Sequence, residues 1–194
     1  MKQKNYRKFV ASLLLLVSAP VAAHQGLHDG GFATGLAHPF SGNDHLLAML
    51  LVGVWAAGFG RGLRTLLVPL AFVTCMGLGA LFGIAGFGVP MMESGIAFSV
   101  IFLGAMLMFG LRLPLGIAAL AVGLFALFHG NAHGLEMPPG QHLRYFGGFI
   151  LATLSLHLLG MGLGRVLLSH DRVLRGLGVL SSLAGVSLMF GGVA

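Results

Sequence analysis

The sequence predicts an all-α, polytopic membrane bundle of about six transmembrane helices following a cleaved signal peptide. Three observations carry that expectation. Hydrophobic residues make up 57% of the chain and charged residues only 8%, against roughly 25% charged in soluble domains. Mean hydropathy is +0.95. The apolar residues also fall in runs near the ~20 residues a helix needs to cross the hydrocarbon, without the alternation of a β-barrel. Thirty-two glycines fit the same class, because small residues let membrane helices approach closely.

The N-terminus comes first. Lys2, Lys4, Arg7 and Lys8 precede the apolar run Phe9 to Val17 and the small-residue stretch Ser18-Ala19-Pro20-Val21-Ala22-Ala23. A basic head, a short apolar core and a small-residue site describe a secretory signal peptide. Cleavage is expected after Ala23, leaving residues 24–194 as a single transmembrane domain. The apolar core is too short for a span of its own. The formal charge of +6 therefore does not point to nucleic acid: beyond residue 23, seven arginines face five acids, a net of +2. The lone Cys75 excludes an intrachain disulfide and reads as a small buried hydrophobe.

Six apolar segments follow, at about 41–60, 63–84, 94–111, 114–129, 145–164 and 173–193. With the mature N-terminus outside, the cytoplasmic loops hold Arg61, Arg64, Arg112, Arg165, Arg172 and Arg175, and only Arg144 falls outside. This is a strong positive-inside asymmetry. It predicts a multi-pass protein of the bacterial inner membrane with both mature termini in the periplasm. Of all the histidines and acids, only His157, His170 and Asp171 then avoid the periplasmic end.

Two clusters flank the membrane-length runs. The first is His38-Pro39-Phe40-Ser41-Gly42-Asn43-Asp44-His45, and the second is Phe128-His129-Gly130-Asn131-Ala132-His133-Gly134-Leu135-Glu136. Imidazoles and carboxylates beside a bilayer are costly and need a compensating role. Together they form a ligand set for a borderline divalent metal. Offsets of four and seven place His129, His133 and Glu136 within roughly 60° of one helical face, provided that Gly130 and Gly134 leave the helix intact. Pro39 and Gly42 predict a turn, with Ser41, Asn43 or Asp44 capping the first span. Glu93 has two readings: a favourable acid at a helix start, or a buried partner of the clusters. His157 is either a transfer ligand or an inter-helix hydrogen-bonding group. His24 would be a metal-binding N-terminal residue after cleavage or part of a solvated tail.

These motifs resemble the two signatures of the HupE/UreJ family: His, five residues, Asp-His (His38, Asp44, His45), and Phe-His-Gly-x-Ala-His-Gly-x-Glu (Phe128 to Glu136). Members are small bacterial membrane proteins associated with hydrogenase or urease gene clusters. The resemblance covers essentially the whole mature chain. It implies a permease for nickel, in some members cobalt, rather than an enzyme, with His38, Asp44, His45, His129, His133 and Glu136 as functional positions and Glu93 as a further acidic one. The implied partners are the transported ion and the lipid bilayer. No prosthetic group is expected, and no P-loop pattern is present for nucleotide hydrolysis. The rival expectation is a zinc-dependent intramembrane hydrolase using the same cluster, with Ser41 and Glu136 as accessory groups. Oligomeric state is not legible in the sequence.

Overall fold

The computed structural model describes residues 31–137 and 139–191. The expected signal peptide and His24 lie outside the described residues. Seven α-helices follow one another there: α1 (Phe32–Ala37), α2 (Asn43–Ala56), α3 (Leu63–Ile84), α4 (Met92–Met108), α5 (Leu115–Glu136), α6 (His142–Leu167) and α7 (Asp171–Gly191). Short 3-10 turns at His38–Phe40 and Ala57–Phe59 flank α2. Helices α2 to α7 coincide with the six apolar segments. Four of them (α3, α5, α6, α7) are long and apolar enough to cross a membrane, whereas α2 with its 3-10 extension and α4 are shorter.

One boundary differs in a way that matters. The segment expected to end near residue 129 continues as α5 to Glu136, because Gly130 and Gly134 serve as packing surface and not as helix breakers. The histidines of the second cluster therefore lie inside the bundle and not in a loop after the span.

Glycine turns set the helix ends. After α3, Gly86 takes φ 82° and the Phe87 N–H reaches the Phe82 carbonyl at 2.9 Å. After α4, Gly110 takes φ 64° and the Leu111 N–H reaches the Met106 carbonyl at 2.9 Å. Both are the closing bond of a Schellman motif, which satisfies carbonyls that would otherwise be stranded. Pro114 then stands at the N-cap of α5. The indole of Trp55 donates to the Leu111 carbonyl at 3.1 Å, tying this connection to the far end of α2.

Helix α2 lies at the centre. From Ala48 to Ala56 every residue but Leu50 is buried, so this stretch is enclosed by its neighbours and only the first turn reaches the surface. Helix α6 runs parallel to it, with Gly53 against the His157 carbonyl and Gly160 against the Leu50 carbonyl. Helix α4 packs on α7 through Gly104 and Gly178, and α1 crosses the start of α6 at Gly35 and Gly148. Leu70, Leu81, Leu120, Leu158 and Leu180 stay exposed on the outside. Apolar belts of that kind mark a lipid-facing surface. The protein is an all-α membrane bundle.

The α3–α5 contact is reciprocal. A Cβ at Gly79 or Gly83 would overlap the Leu127 or Asn131 carbonyl of α5, and a Cβ at Gly130 or Gly134 would overlap the Met76 or Ala80 carbonyl of α3. Only glycine permits this approach. Gly130→Ala is expected to lower stability by about 1–3 kcal/mol, read as a lower unfolding temperature in detergent. Gly162→Ala, on an open face of α6, is expected to leave that temperature unchanged or raise it. Equal effects of the two substitutions would contradict the packing account.

Candidate metal site

Four imidazoles converge where α5 meets the start of α2 and the turn before it. His38 opens the 3-10 turn His38–Phe40, which Pro39 stiffens at its second position. The Ser41 hydroxyl donates to the His38 carbonyl at 2.6 Å and so braces the turn. Gly42 is the N-cap of α2 and offers no side chain; of the expected capping residues Ser41, Asn43 and Asp44, it is Asp44, inside the first turn, that satisfies a free backbone N–H there. Asp44 accepts from the His45 backbone N–H at 2.8 Å and from the His45 ring Nδ1 at 2.8 Å.

That second bond selects a tautomer. An ionised carboxylate only accepts, so the His45 proton sits on Nδ1 and the buried Nε2, which has no protein partner, keeps its lone pair. Carboxylate–histidine pairs of this kind orient metal ligands and raise their basicity. A parallel device holds His129. The Ser99 hydroxyl donates to the Ile96 carbonyl at 2.6 Å and so accepts from His129 Nε2 at 3.1 Å. His129 Nδ1 is left buried and unpartnered.

His133 lies between the two elements. Its ring centroid is 4.7 Å from that of His38 and 4.5 Å from that of His45, and His45 is 4.9 Å from His129. His129 is 0% and His133 1% exposed. Phe149 of α6 packs on His133 at 4.1 Å, and Phe72 of α3 on His129 at 5.5 Å. One oxygen of Glu136 stands 3.6 Å from His38 Nε2 and 3.9 Å from His133 Nδ1. Donor atoms of His38, His133 and Glu136 lie within 4.8 Å of one another. The rings form a short descending chain, with His38 and Glu136 at a partly open mouth and His129 at the sealed end. Neutral imidazole beside carboxylate suits a borderline divalent cation.

His38 lies outside the spans, and burial holds its pKa below the ordinary 6.5. The attraction of Glu136 works in the opposite direction and is outweighed, and nearby His45 adds to the lowering. Its metal-binding, neutral form therefore persists to lower pH than in a free imidazole.

Glu93 takes a different place from the other predicted ligands. It sits in the first turn of α4 and, with Asp44, Ser94 and Ser187, lines a cavity of about 590 Å³ at the histidine end. It does not join the group formed by His38, His133 and Glu136. Met91, next to the motifs in sequence, is 77% exposed.

Sequence reasoning missed Ser99, Phe72 and Phe149. Each lies on a different helix from the residue it contacts, and an ordinary apolar run gives no signal for them. Asn131 was visible inside the second motif but not its task. Its side chain accepts from Val89 N–H at 2.8 Å and donates to the Phe87 carbonyl at 2.7 Å, pinning the α3–α4 connection.

Comparison with known proteins gives a consistent picture. Residues 12–188 match the family model described as HupE / UreJ protein. The chain is similar to Protein HupE of Rhizobium leguminosarum bv. viciae, at 43% identity over 191 residues, covering 96% of this chain and 100% of that protein. No solved structure matches.

The orienting bonds have an expected consequence. Asp44→Ala and Ser99→Ala should each weaken divalent-metal binding about 10- to 100-fold, measured by titration calorimetry on detergent-solubilised protein. Wild-type affinity in both variants would mean that neither bond prepares a ligand.

Proposed function

The chain belongs to the HupE/UreJ family, and we propose that it is an inner-membrane permease that captures Ni2+, or alternatively Co2+, at its periplasmic face for hydrogenase or urease maturation. The observation that carries this reading is the convergence of His38, His45, His129 and His133, with Asp44 and Glu136, in a largely buried chain of donors. These are the positions at which the sequence resembles the two signatures of that family. Placement of the arginines supports the periplasmic orientation of the histidine end.

The ion is attracted first to the carboxylates. Asp44 and Glu93 in the wide cavity, together with Glu136 at the mouth, give that end negative potential, which concentrates dications. Imidazole nitrogens then replace water, and a carboxylate beside them offsets charge that would be prohibitive in an apolar bundle. Inward movement of a cation is favoured by about 2.3 kcal/mol per charge for each 100 mV of membrane potential. With no P-loop pattern in the sequence, facilitated or potential-driven uptake is the simplest coupling.

Uptake of radioactive nickel by nickel-starved cells tests this reading. His38→Ala, Asp44→Ala and His133→Ala should each lower accumulation at least about tenfold at equal protein level. Wild-type accumulation in all three would refute the assignment.

Acid should also suppress capture, because protons compete with metal for imidazole. Burial holds the His38 pKa below the ordinary imidazole value, so it gains its proton at lower pH than a free imidazole does. Equilibrium nickel binding should therefore fall as the pH is lowered, with its loss displaced to more acid pH than the titration of free imidazole. Binding that strengthens on acidification would contradict imidazole ligation.

A further inference from the structure

His157 lies deep in α6 and is 1% exposed. Neither of its ring nitrogens has a hydrogen-bond partner from the protein, so the inter-helix hydrogen bond expected as one of its two roles is not formed. A buried imidazole left in this condition is destabilising, and ionisable side chains inside a membrane bundle are by default functional. Every buried side-chain nitrogen or oxygen without a partner among the described residues is a ring nitrogen of His45, His129, His133 or His157. The first three belong to the capture site. The fourth shares their condition.

Its position continues their line. The Phe72 ring stands between His129 and His157, with centroid separations of 5.5 and 5.1 Å. Along α6, His157 follows Phe149, the ring that packs on His133, by eight residues, a rise of about 12 Å. Its carbonyl abuts Gly53 of α2. The next residues of α2, Val54 and Trp55, line a second cavity of about 280 Å³ at the opposite, arginine-rich end, bounded also by Arg112, Asp171 and Arg175. His157 thus lies between the sealed end of the capture site and an opening on the other side.

We infer that His157 is an inner ligand for the divalent cation, taking it from His129 across the Phe72 ring and passing it toward the cavity lined by Trp55 and Asp171. This rests on the transport reading above. Each handover exchanges one neutral nitrogen donor for another, so no bond in the protein is broken and no redox partner is needed. The inner station supplies a nitrogen donor deep in the bundle, one turn beyond Thr153, whose buried hydroxyl is committed to the Met49 sulfur.

The test uses full-length protein with Ni2+ alone as probe, in proteoliposomes for uptake and in detergent for equilibrium binding. His157→Phe keeps an aromatic ring and removes both nitrogens. It should raise the unfolding temperature, leave nickel binding at the outer site at wild-type affinity, and lower the initial uptake rate at least about tenfold. His157→Cys, which restores a ligand without the ring, should recover part of the uptake. Wild-type uptake in His157→Phe, while His133→Ala is inactive, would overturn the inner station and leave the transport reading intact. Loss of outer-site binding along with uptake in His157→Phe would also overturn it, by making His157 a structural element. Wild-type uptake in His133→Ala as well would mean that the transport reading itself had failed.

Discussion

The backbone contact between α3 and α5 is the constraint on which the rest of the structure depends. Gly79, Gly83, Gly130 and Gly134 face carbonyls of the opposite helix, and that contact sets the rotation of α5 about its own axis. Two glycines turned toward α3 leave the histidines one position before each turned inward, His129 toward α2 and α4 and His133 toward α2 and α6. A helix rises and rotates by fixed amounts per residue, so the alternation of His-Gly and His-Gly at a spacing of four is one device with two faces. One face brings the backbones together and the other presents imidazoles to the interior. Lipid gives helices no hydrophobic reason to associate, and close van der Waals packing of this kind takes over that role.

Held in this way, the imidazoles sit in an environment that penalises them. A buried polar group without a partner costs about 1–3 kcal/mol, and the unpartnered ring nitrogens among the described residues are concentrated in four side chains. The surroundings do not relieve the cost but organise it. Asp44 and Ser99 each take one nitrogen of a ring and leave the other with its lone pair. Stability is given up to keep donors in place, a pattern expected where chemistry and folding compete for the same residues.

Much of this was legible in the sequence, for identifiable reasons. Membrane character follows from composition, and α3 fills the apolar segment 63–84. His38, Asp44, His45, His129, His133 and Glu136 stood out because charged or titratable side chains are rare in such a chain. The behaviour of Gly130 and Gly134 was not legible, since a glycine that ends a helix and one that packs a helix look the same until the partner helix is known. Glu93 could not be assigned for a related reason: its place beside Asp44 depends on how α2, α4 and α7 meet. Ser99 and Phe72 acquire their roles only through contacts across the bundle. His157 carried a signal as a lone intramembrane histidine, but choosing between hydrogen bond and ligand required knowing that its nitrogens have no protein partner.

The central claim is that these buried nitrogens are metal ligands. X-ray absorption at the nickel edge of the metal-loaded, purified protein addresses it most directly. Imidazole ligation predicts a coordination sphere with the outer-shell scattering of imidazole rings, which weakens in His45→Ala and His133→Ala. A sphere of oxygen donors alone, unchanged by either substitution, would contradict it.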